Sequence, residues 1–423
     1  MEEIQQLTRS DIQKLAIDAA IPVLETERKA TLLMGTGTGK GLTILQILDH
    51  FKPEKITWLI DSQDGRDIND SSEFYKFGYE HLLPFVEFAC YQTSYKWKNK
   101  DLGFLVCNEA DYAATPEYSK VLSENTYSHV LMATATIAES KQWFFDDYAP
   151  VVFKFTTQEA EDAGVVNKTI YKFINFDLST VKNIEMTGKF GKYFQSETDQ
   201  YIYWDNQFIS TTITIEKMRK ECDEHYKGIK PIPGFSYDSF KTKRAALYKK
   251  LQYIGSKRAS ILYTSTTTAE VAKKVINLIL QDENNKVVAV SKFTDHIDSI
   301  CEYTWHSKNS GSKKEPNLNK DLLNQGVINC LGVVGKINRG ANLVGVNHFV
   351  LVAYDGSDTT GQQQSGRGKR LSADETCTIW ILVPYFTKNG KRLPTRAYSF
   401  ANKRLVDFNL TSANTENINI NEL

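Results

Sequence analysis

Three groups of residues have types and spacing suited to phosphate chemistry. Gly35-Thr36-Gly37-Thr38-Gly39-Lys40-Gly41 sets glycines at alternate positions around a single lysine. Without Cβ atoms, such a run lets backbone N–H groups turn inward and wrap an anion. The lysine then adds a compact cation for the outer phosphates. Asn108-Glu109-Ala110-Asp111 places two carboxylates directly behind the apolar run Phe104 to Cys107. At the carboxyl edge of a sheet, Glu109 can orient and deprotonate a water that attacks a γ-phosphate. Arg367 and Arg370 are three residues apart and share one face if that segment is helical. Two guanidinium forks on one face can reach a phosphate across a cleft and offset transition-state charge. Taken singly, each group has a plainer reading: a Gly-Thr surface loop, a solvated acid, a basic helix face.

The elements that would position these residues are legible. Ala30-Thr31-Leu32-Leu33-Met34 reads as a buried strand, and Leu42 to Leu48 resumes a helical apolar pattern. Strand, glycine loop and helix is the context a phosphate-binding loop requires, with the helix N-terminus adding positive potential. Upstream, Ile12, Leu15, Ala16, Ala19, Ala20 and Val23 recur at helical spacing. Short apolar runs follow at Ile56 to Ile60, Phe85 to Cys90, Phe104 to Cys107, His129 to Met132 and Val151 to Phe155. A second set runs through Ser260 to Tyr263, Val287 to Val290, Val327 to Val333, His348 to Val352 and Thr378 to Val383. Separated by longer stretches, such runs predict βα units around parallel sheets. Between the two sets the chain is polar, charged and aromatic (Tyr193, Phe194, Tyr201, Tyr203, Trp204, Phe208), which reads as a mostly helical insertion. Packing is the ordinary role for those aromatics; a stacking surface or wedge for bases is the alternative. The expected organisation is therefore α/β: a first domain over 1–160, a helical linker over 161–255, a second domain over 256–400 and a flexible tail over 401–423.

Composition bounds the partners. A chain of 423 residues suits two α/β domains. Lys plus Arg and Asp plus Glu number 51 each, so binding of a polyanion would be local to a groove. No apolar run approaches the roughly 20 residues that span a bilayer, and the start, Met1-Glu2-Glu3, lacks a secretory pattern. An intracellular, non-membrane protein is expected. The six cysteines are scattered without a Cys-x-x-Cys pair, so buried free thiols are expected and a zinc site is not.

Met34 through Gly41 closely resembles motif I of superfamily 2 helicases, especially the branch containing the motor subunits of type I and type III restriction enzymes. Asp11-Ile12-Gln13 looks like the adenine-contacting element of that family, with Gln13 as reader. Tyr91-Gln92-Thr93-Ser94 resembles motif Ib, Val106 to Asp111 motif II and Ala133-Thr134-Ala135-Thr136 motif III. Ile261 to Ser265 resembles motif IV, Asn338 to Leu343 motif V, and Gln363-Gln364-Ser365-Gly366-Arg367-Gly368-Lys369-Arg370 motif VI. These stand in the family's order over nearly the whole chain. The resemblance implies two tandem RecA-like domains with parallel sheets and a helical insertion between them. It implies ATP binding by Gln13, by Gly35, Thr36, Gly37, Thr38, Gly39, Lys40 and Gly41, and by Gly340 and Asn342. Catalysis would fall to Lys40, Glu109, Arg367 and Arg370. Coupling would fall to Asp111, Thr134, Ala135, Thr136 and Gln363, and contact with a nucleic-acid backbone to Thr93, Ser94, Thr264 and Ser265. Such contacts carry little sequence information.

Two departures concern the expected Mg²⁺. The family follows the motif I lysine with a hydroxyl residue and begins motif II with aspartate; this chain has Gly41 and Asn108. Asn108 could meet the ion through a water, beside Glu109, but without charge. Motif Ia has only a poor match at Ile60-Asp61-Ser62-Gln63. The expected function is an ATP-hydrolysing helicase or translocase on nucleic acid, with DNA favoured over RNA by the resemblance alone. The alternative is a degenerate helicase-like protein that binds nucleotide or nucleic acid with little hydrolysis. The chain shows no nuclease motif after motif VI, so a partner protein would have to supply such an activity.

Overall fold

Ile56–Ile60 form β2, and all five residues are buried. Burial on both faces is the signature of a central strand in a parallel sheet covered by helices. A computed structural model of the chain describes residues 7–60, 70–188, 191–306, 308, 318–334, 343–354, 375–407 and 415–422. In it β1 (Lys29–Met34), β2, β3 (Val86–Cys90), β4 (Phe104–Asn108), β5 (His129–Thr134) and β6 (Val151–Phe155) pair in the order β3-β2-β4-β5-β1-β6. Every pairing in this sheet is parallel. All six carboxyl ends therefore lie on one edge, where ligands bind in open α/β sheets.

Helix α1 (Arg9–Glu27) begins with a capping box between Thr8 and Asp11. It buries Ile12, Ala16, Ala20 and Leu24, one residue per turn, against this sheet. The two large members contribute roughly 1.5–3 kcal/mol each. Helix α2 (Lys40–Phe51) lies on the same face and buries Ile44, Leu45, Ile47 and Leu48. Helix α3 (Asp70–Phe77) packs beside it through Phe74, which meets Trp58 of β2.

The second sheet contains β7 (Lys168–Asp177), β10 (Val287–Ser291), β11 (Thr304–Trp305), β12 (Cys330–Val334), β13 (His348–Leu351), β14 (Thr376–Lys388) and β16 (Thr415–Asn419). Their order is β11-β12-β10-β13-β14-β7-β16, with β15 (Lys391–Pro394) returning antiparallel on β14. A separate hairpin joins β8 (Ile184–Gly188) to β9 (Gly191–Gln195).

Three expectations need correction. The stretch 161–255 is not only a helical linker: β7 runs parallel to β14 from Lys168↔Thr376 to Asp177↔Tyr385 and holds β16 on its other side. Half of KTIYKFINFD is polar and its apolar residues fall singly or in pairs without strict alternation, which masked a strand buried along much of its length. Ser260 to Tyr263 is not a strand but the last turn of a long helix, Tyr237–Thr264. Its three apolar residues, Ile261 to Tyr263, are too few to show a period of their own, and no glycine or proline flanks them. The 401–423 tail is ordered in part: it finishes a helix at Asp407 and pairs β16 with β7, where Ile418 joins the core.

The insertion itself is a helical pair. After the short helices α4 (Tyr91–Ser94) and α5 (Thr157–Asp162), the pair are α6 (Glu197–Tyr226) and α7 (Tyr237–Thr264). Arg258 of α7 is buried over the Phe208 ring at 3.9 Å and paired with Asp205 at 2.5 Å. Tyr201 is buried against Phe386, whereas Tyr203 and Tyr253 stand exposed. None of the six cysteines is in a disulfide, and five are buried.

Candidate nucleotide site

The glycine loop leaves β1 at Met34 and enters α2 at Lys40. Gly37 (φ 84°) and Gly39 (φ 94°) take left-handed conformations that cost residues with a side chain energy. Gly39 is the N-cap of α2 and brings no side-chain cap, so the first-turn N–H groups stay available to an anion.

The loop is held from three directions. Thr38 Oγ1 donates to the Gly35 carbonyl at 2.7 Å, closing the loop on itself. From α1, the buried Gln13 Nε2 donates to the Thr38 carbonyl at 3.2 Å. From the other side, Gly35 N–H donates to Phe155 O at 2.8 Å and Thr36 N–H to Thr157 Oγ1 at 3.3 Å. Gln13, expected as a reader of adenine, is seen here bonded to the loop backbone. Lys40 Nζ donates to Met34 O at 3.2 Å, which keeps the ammonium over the loop.

Glu109 sits just past the end of β4, with φ 51° and ψ 55°. A left-handed conformation at a non-glycine residue costs of order 1 kcal/mol or more, and such strain gathers at functional sites. Glu109 N–H donates to Asn108 Oδ1 at 3.1 Å, so the Asn108 amide oxygen is already engaged. One strand, β5, separates β4 from β1. Two strand spacings put the glycine loop and the Glu109 backbone about 10 Å apart along one edge, room for a phosphate group and an attacking water.

Around this edge, Asp111 is buried and reaches the segment after Thr136: Lys141 Nζ lies 2.5 Å from its carbonyl and 3.9 Å from its carboxylate. Thr134 Oγ1 donates to Thr136 O at 3.0 Å, and Ala135 is half-buried between them. Tyr91, fully buried, donates from its hydroxyl to Asn108 O at 3.0 Å and stacks on Tyr112. Burial holds its phenol pKa well above the usual range and pushes the Cys107 thiol up to about 12. Tyr91 therefore ties α4 mechanically to the strand that carries Glu109.

Of the four expected backbone-contacting residues, Thr93 and Thr264 are exposed and Ser94 and Ser265 are buried. Ser265 caps the following helix through Thr268 N–H, so its hydroxyl is committed to the fold. Gly340, Asn342, Gln363, Arg367 and Arg370 lie outside the described residues.

The usual Mg²⁺ donor set does not fit here. Position 41 has no hydroxyl and Asn108 no charge. Among the described residues, no group of three or more His, Cys, Asp or Glu is arranged to hold a metal. One contact was not foreseen: a Cβ added to Gly41 would stand 2.0 Å from Glu73 Oε2 of α3. Neither Glu73 nor Lys141 carried a sequence signal, since each is one charge among many. Tyr91 and Thr157 were visible only as unremarkable neighbours of motif residues.

No family model and no curated protein matches the sequence. Solved structures do match in fold. The ATP-dependent Type ISP restriction-modification enzyme LlaBIII bound to DNA is similar at TM-score 0.56 and 11% identity, over 97% of this chain and 31% of that one. The chain thus spans under a third of that enzyme's length. S. cerevisiae Dbp5 bound to RNA and ADP BeF3 gives TM-score 0.56 and 10% identity, covering 97% of this chain and 90% of Dbp5. A fragment of a putative HsdR subunit of a type I restriction enzyme from Vibrio vulnificus YJ016 gives 0.52 and 13%, over 90% and 70%. With parallel sheets in both halves and likeness along almost its whole length, the chain shares the fold of these solved structures, two tandem RecA-like α/β domains.

Proposed function

We propose that the chain binds ATP at residues 35–41 and hydrolyses it to move along, or separate, nucleic acid. The observation that carries this reading is the pairing of a locked glycine loop with a left-handed Glu109 on the same sheet edge. The loop amides and Lys40 hold the outer phosphates, and Gln13 faces the nucleotide from α1. Glu109 orients the attacking water and accepts its proton. Arg367 and Arg370, with Gly340, Asn342 and Gln363, act from the second domain as the resemblance implies. Cleft closure and opening then alternate the grip on a strand. The Tyr91 and Asp111–Lys141 contacts support transmission, because they join the strand-facing turn at Thr93 and the segment after Thr136 to the end of β4. Mg²⁺ with ATP belongs to the proposal and would offset charge on the phosphates; with the usual donors missing, no step is assigned to it.

DNA is favoured over RNA only by the likeness to restriction motors, since backbone-gripping residues do not reveal whether a 2′-OH is read. An intracellular location fits, and among the described residues no helix is long and apolar enough to cross a membrane. A nuclease or similar activity would come from a partner protein. Gly41 and Asn108 favour a second reading, a helicase-like binder with little hydrolysis. ATP hydrolysis measured with and without single- and double-stranded DNA and RNA separates the two. A strand-stimulated rate lost in Lys40→Ala supports the motor. Nucleotide or strand binding with no hydrolysis above the Lys40→Ala level supports the binder.

A further inference from the structure

The two helices of the insertion handle charge differently. In α6, Lys217 and Lys220 stand one turn before Glu221 and Glu224 and pair with them at 3.9 Å and 3.7 Å. Helix α7 carries seven Lys and Arg residues and a single acid, Asp238, in a chain whose net charge is zero. Among the described residues its only ion pair is that of the buried Arg258 with Asp205. Lys243, Lys250 and Lys257 are exposed and recur every seven residues. At that spacing a helix drifts by only about 20° per step, so the three lysines share one face at intervals of about 10.5 Å. The next position in the series is Thr264, also exposed.

This stripe runs to the carboxyl edge of the second sheet, where open α/β sheets bind ligands. Tyr263 donates from its hydroxyl to Tyr354 O, three residues beyond β13, which fixes the end of α7 at that edge. Tyr253 lies on the lysine face, 57% exposed, with Lys257 Nζ 5.7 Å from its ring centre. Trp204 of α6 meets the same ring edge-on at 5.9 Å and holds a flat apolar surface beside the cations. We propose that this face of α7 binds a single strand of nucleic acid, its lysines meeting phosphates and Tyr253 stacking on a base, and leads the strand to Thr264 at the sheet edge. A positive track interleaved with an aromatic platform holds single strands without sequence preference. Basic residues without acid partners add up to a positive potential along the helix, which an ordinary solvated face cancels by i,i+4 pairs, as α6 does. The proposal rests on the nucleic-acid part of the function proposed above.

Binding of a fluorescent single-stranded oligothymidylate to the full chain, read by anisotropy across a salt series, tests it. All the α7 positions to be changed are exposed, so no core packing is lost. In Lys243→Gln/Lys250→Gln/Lys257→Gln, affinity at about 0.1 M salt should fall at least about tenfold. The slope of log affinity against log salt should flatten by about two, since each phosphate contact on a single strand contributes about 0.7. Tyr253→Ala should lose at least about fivefold, the lower end for one stacked base, and Tyr253→Phe should bind as wild type. As a control, Lys29→Gln/Lys52→Gln/Lys168→Gln removes the same charge from the opposite edges of the sheets and should leave the slope unchanged. Equal losses in both triple variants would assign the effect to net charge and overturn the inference. Wild-type affinity and slope in the α7 triple variant, or Tyr253→Ala binding as tightly as Tyr253→Phe, also overturn it and leave the nucleic-acid reading standing. Displacement of the strand by polyglutamate as readily as by unlabelled strand would assign the face to an acidic protein and overturn it too. A wild-type chain that binds no strand overturns both.

Discussion

Replacing Gly35 with alanine sets a methyl carbon against backbone, where nothing can rotate away. The added Cβ would lie 2.6 Å from Thr157 N, 2.7 Å from Thr157 Cα and 2.9 Å from Thr156 C. Carbon contacts are comfortable at about 3.5–4.0 Å, so the loop or the start of α5 must move by about 1 Å. That movement stretches Gly35 N–H to Phe155 O and Thr36 N–H to Thr157 Oγ1 together. Overpacking costs about 1–3 kcal/mol and each weakened hydrogen bond up to about 1.5, so a loss on the order of 3 kcal/mol is expected. On the proposal that the same loop holds the phosphates, nucleotide affinity should fall at least about tenfold, or 1.4 kcal/mol. Urea denaturation and titration with a fluorescent ATP analogue read both. Gly255→Ala is the control: its Cβ would meet only the Phe208 ring at 3.5 Å and 3.9 Å inside α7, and helix propensity should stabilise it by up to about 1 kcal/mol. A Gly35→Ala chain as stable as wild type and as tight for nucleotide would refute the close packing of loop on α5.

Tyr91→Phe removes the hydroxyl that donates to Asn108 O, leaving a half-buried carbonyl short of a donor. It should lower stability by about 1–3 kcal/mol and reduce strand stimulation more than the basal hydrolysis rate, both measurable on one preparation. Acid should destabilise the second domain through His348, whose Nδ1 accepts from Trp380 Nε1–H at 3.1 Å and so needs a neutral ring. Burial, helped by Lys172, lowers its pKa from 6.5 to about 4. The unfolded chain then takes the proton first, so this contribution is complete above pH 6.5 and is lost as pH falls towards 4. For a half-buried ring the effect should be about 1–2 kcal/mol, visible as a steeper acid limb of melting temperature in wild type than in His348→Gln.

What could be read in advance follows from which interactions are local. The glycine loop, the strand before it and the helix after it are contiguous in sequence, and β1 and α2 form where expected. Glu109 was placed at a strand end by the four residues ahead of it, and β4 ends beside it. β7 was missed because its partners, β14 and β16, lie more than 200 residues away in the chain and its pattern is half polar. Ile261 to Tyr263 read as strand because three apolar residues fit either period; the cap at Ser236 that commits them to a helix lies far upstream. The hydroxyls of Ser94 and Ser265 matched strand-contacting positions by type, yet burial is a property of packing and removes both from the surface. Glu73 had no local signal at all: its contact with Gly41 exists only because α3 folds back onto α2.

Hydrolysis by Glu109→Gln, measured at a concentration of ATP that both proteins bind equally, tests the central claim most directly. The substitution keeps the shape and hydrogen-bonding reach of the side chain and removes only its basicity. ATP affinity should stay within about twofold, and the hydrolysis rate should fall at least about 10²-fold, as expected for loss of a general base. An unchanged rate, or a wild-type chain that binds ATP but hydrolyses none, would contradict the assignment of Glu109 as the base.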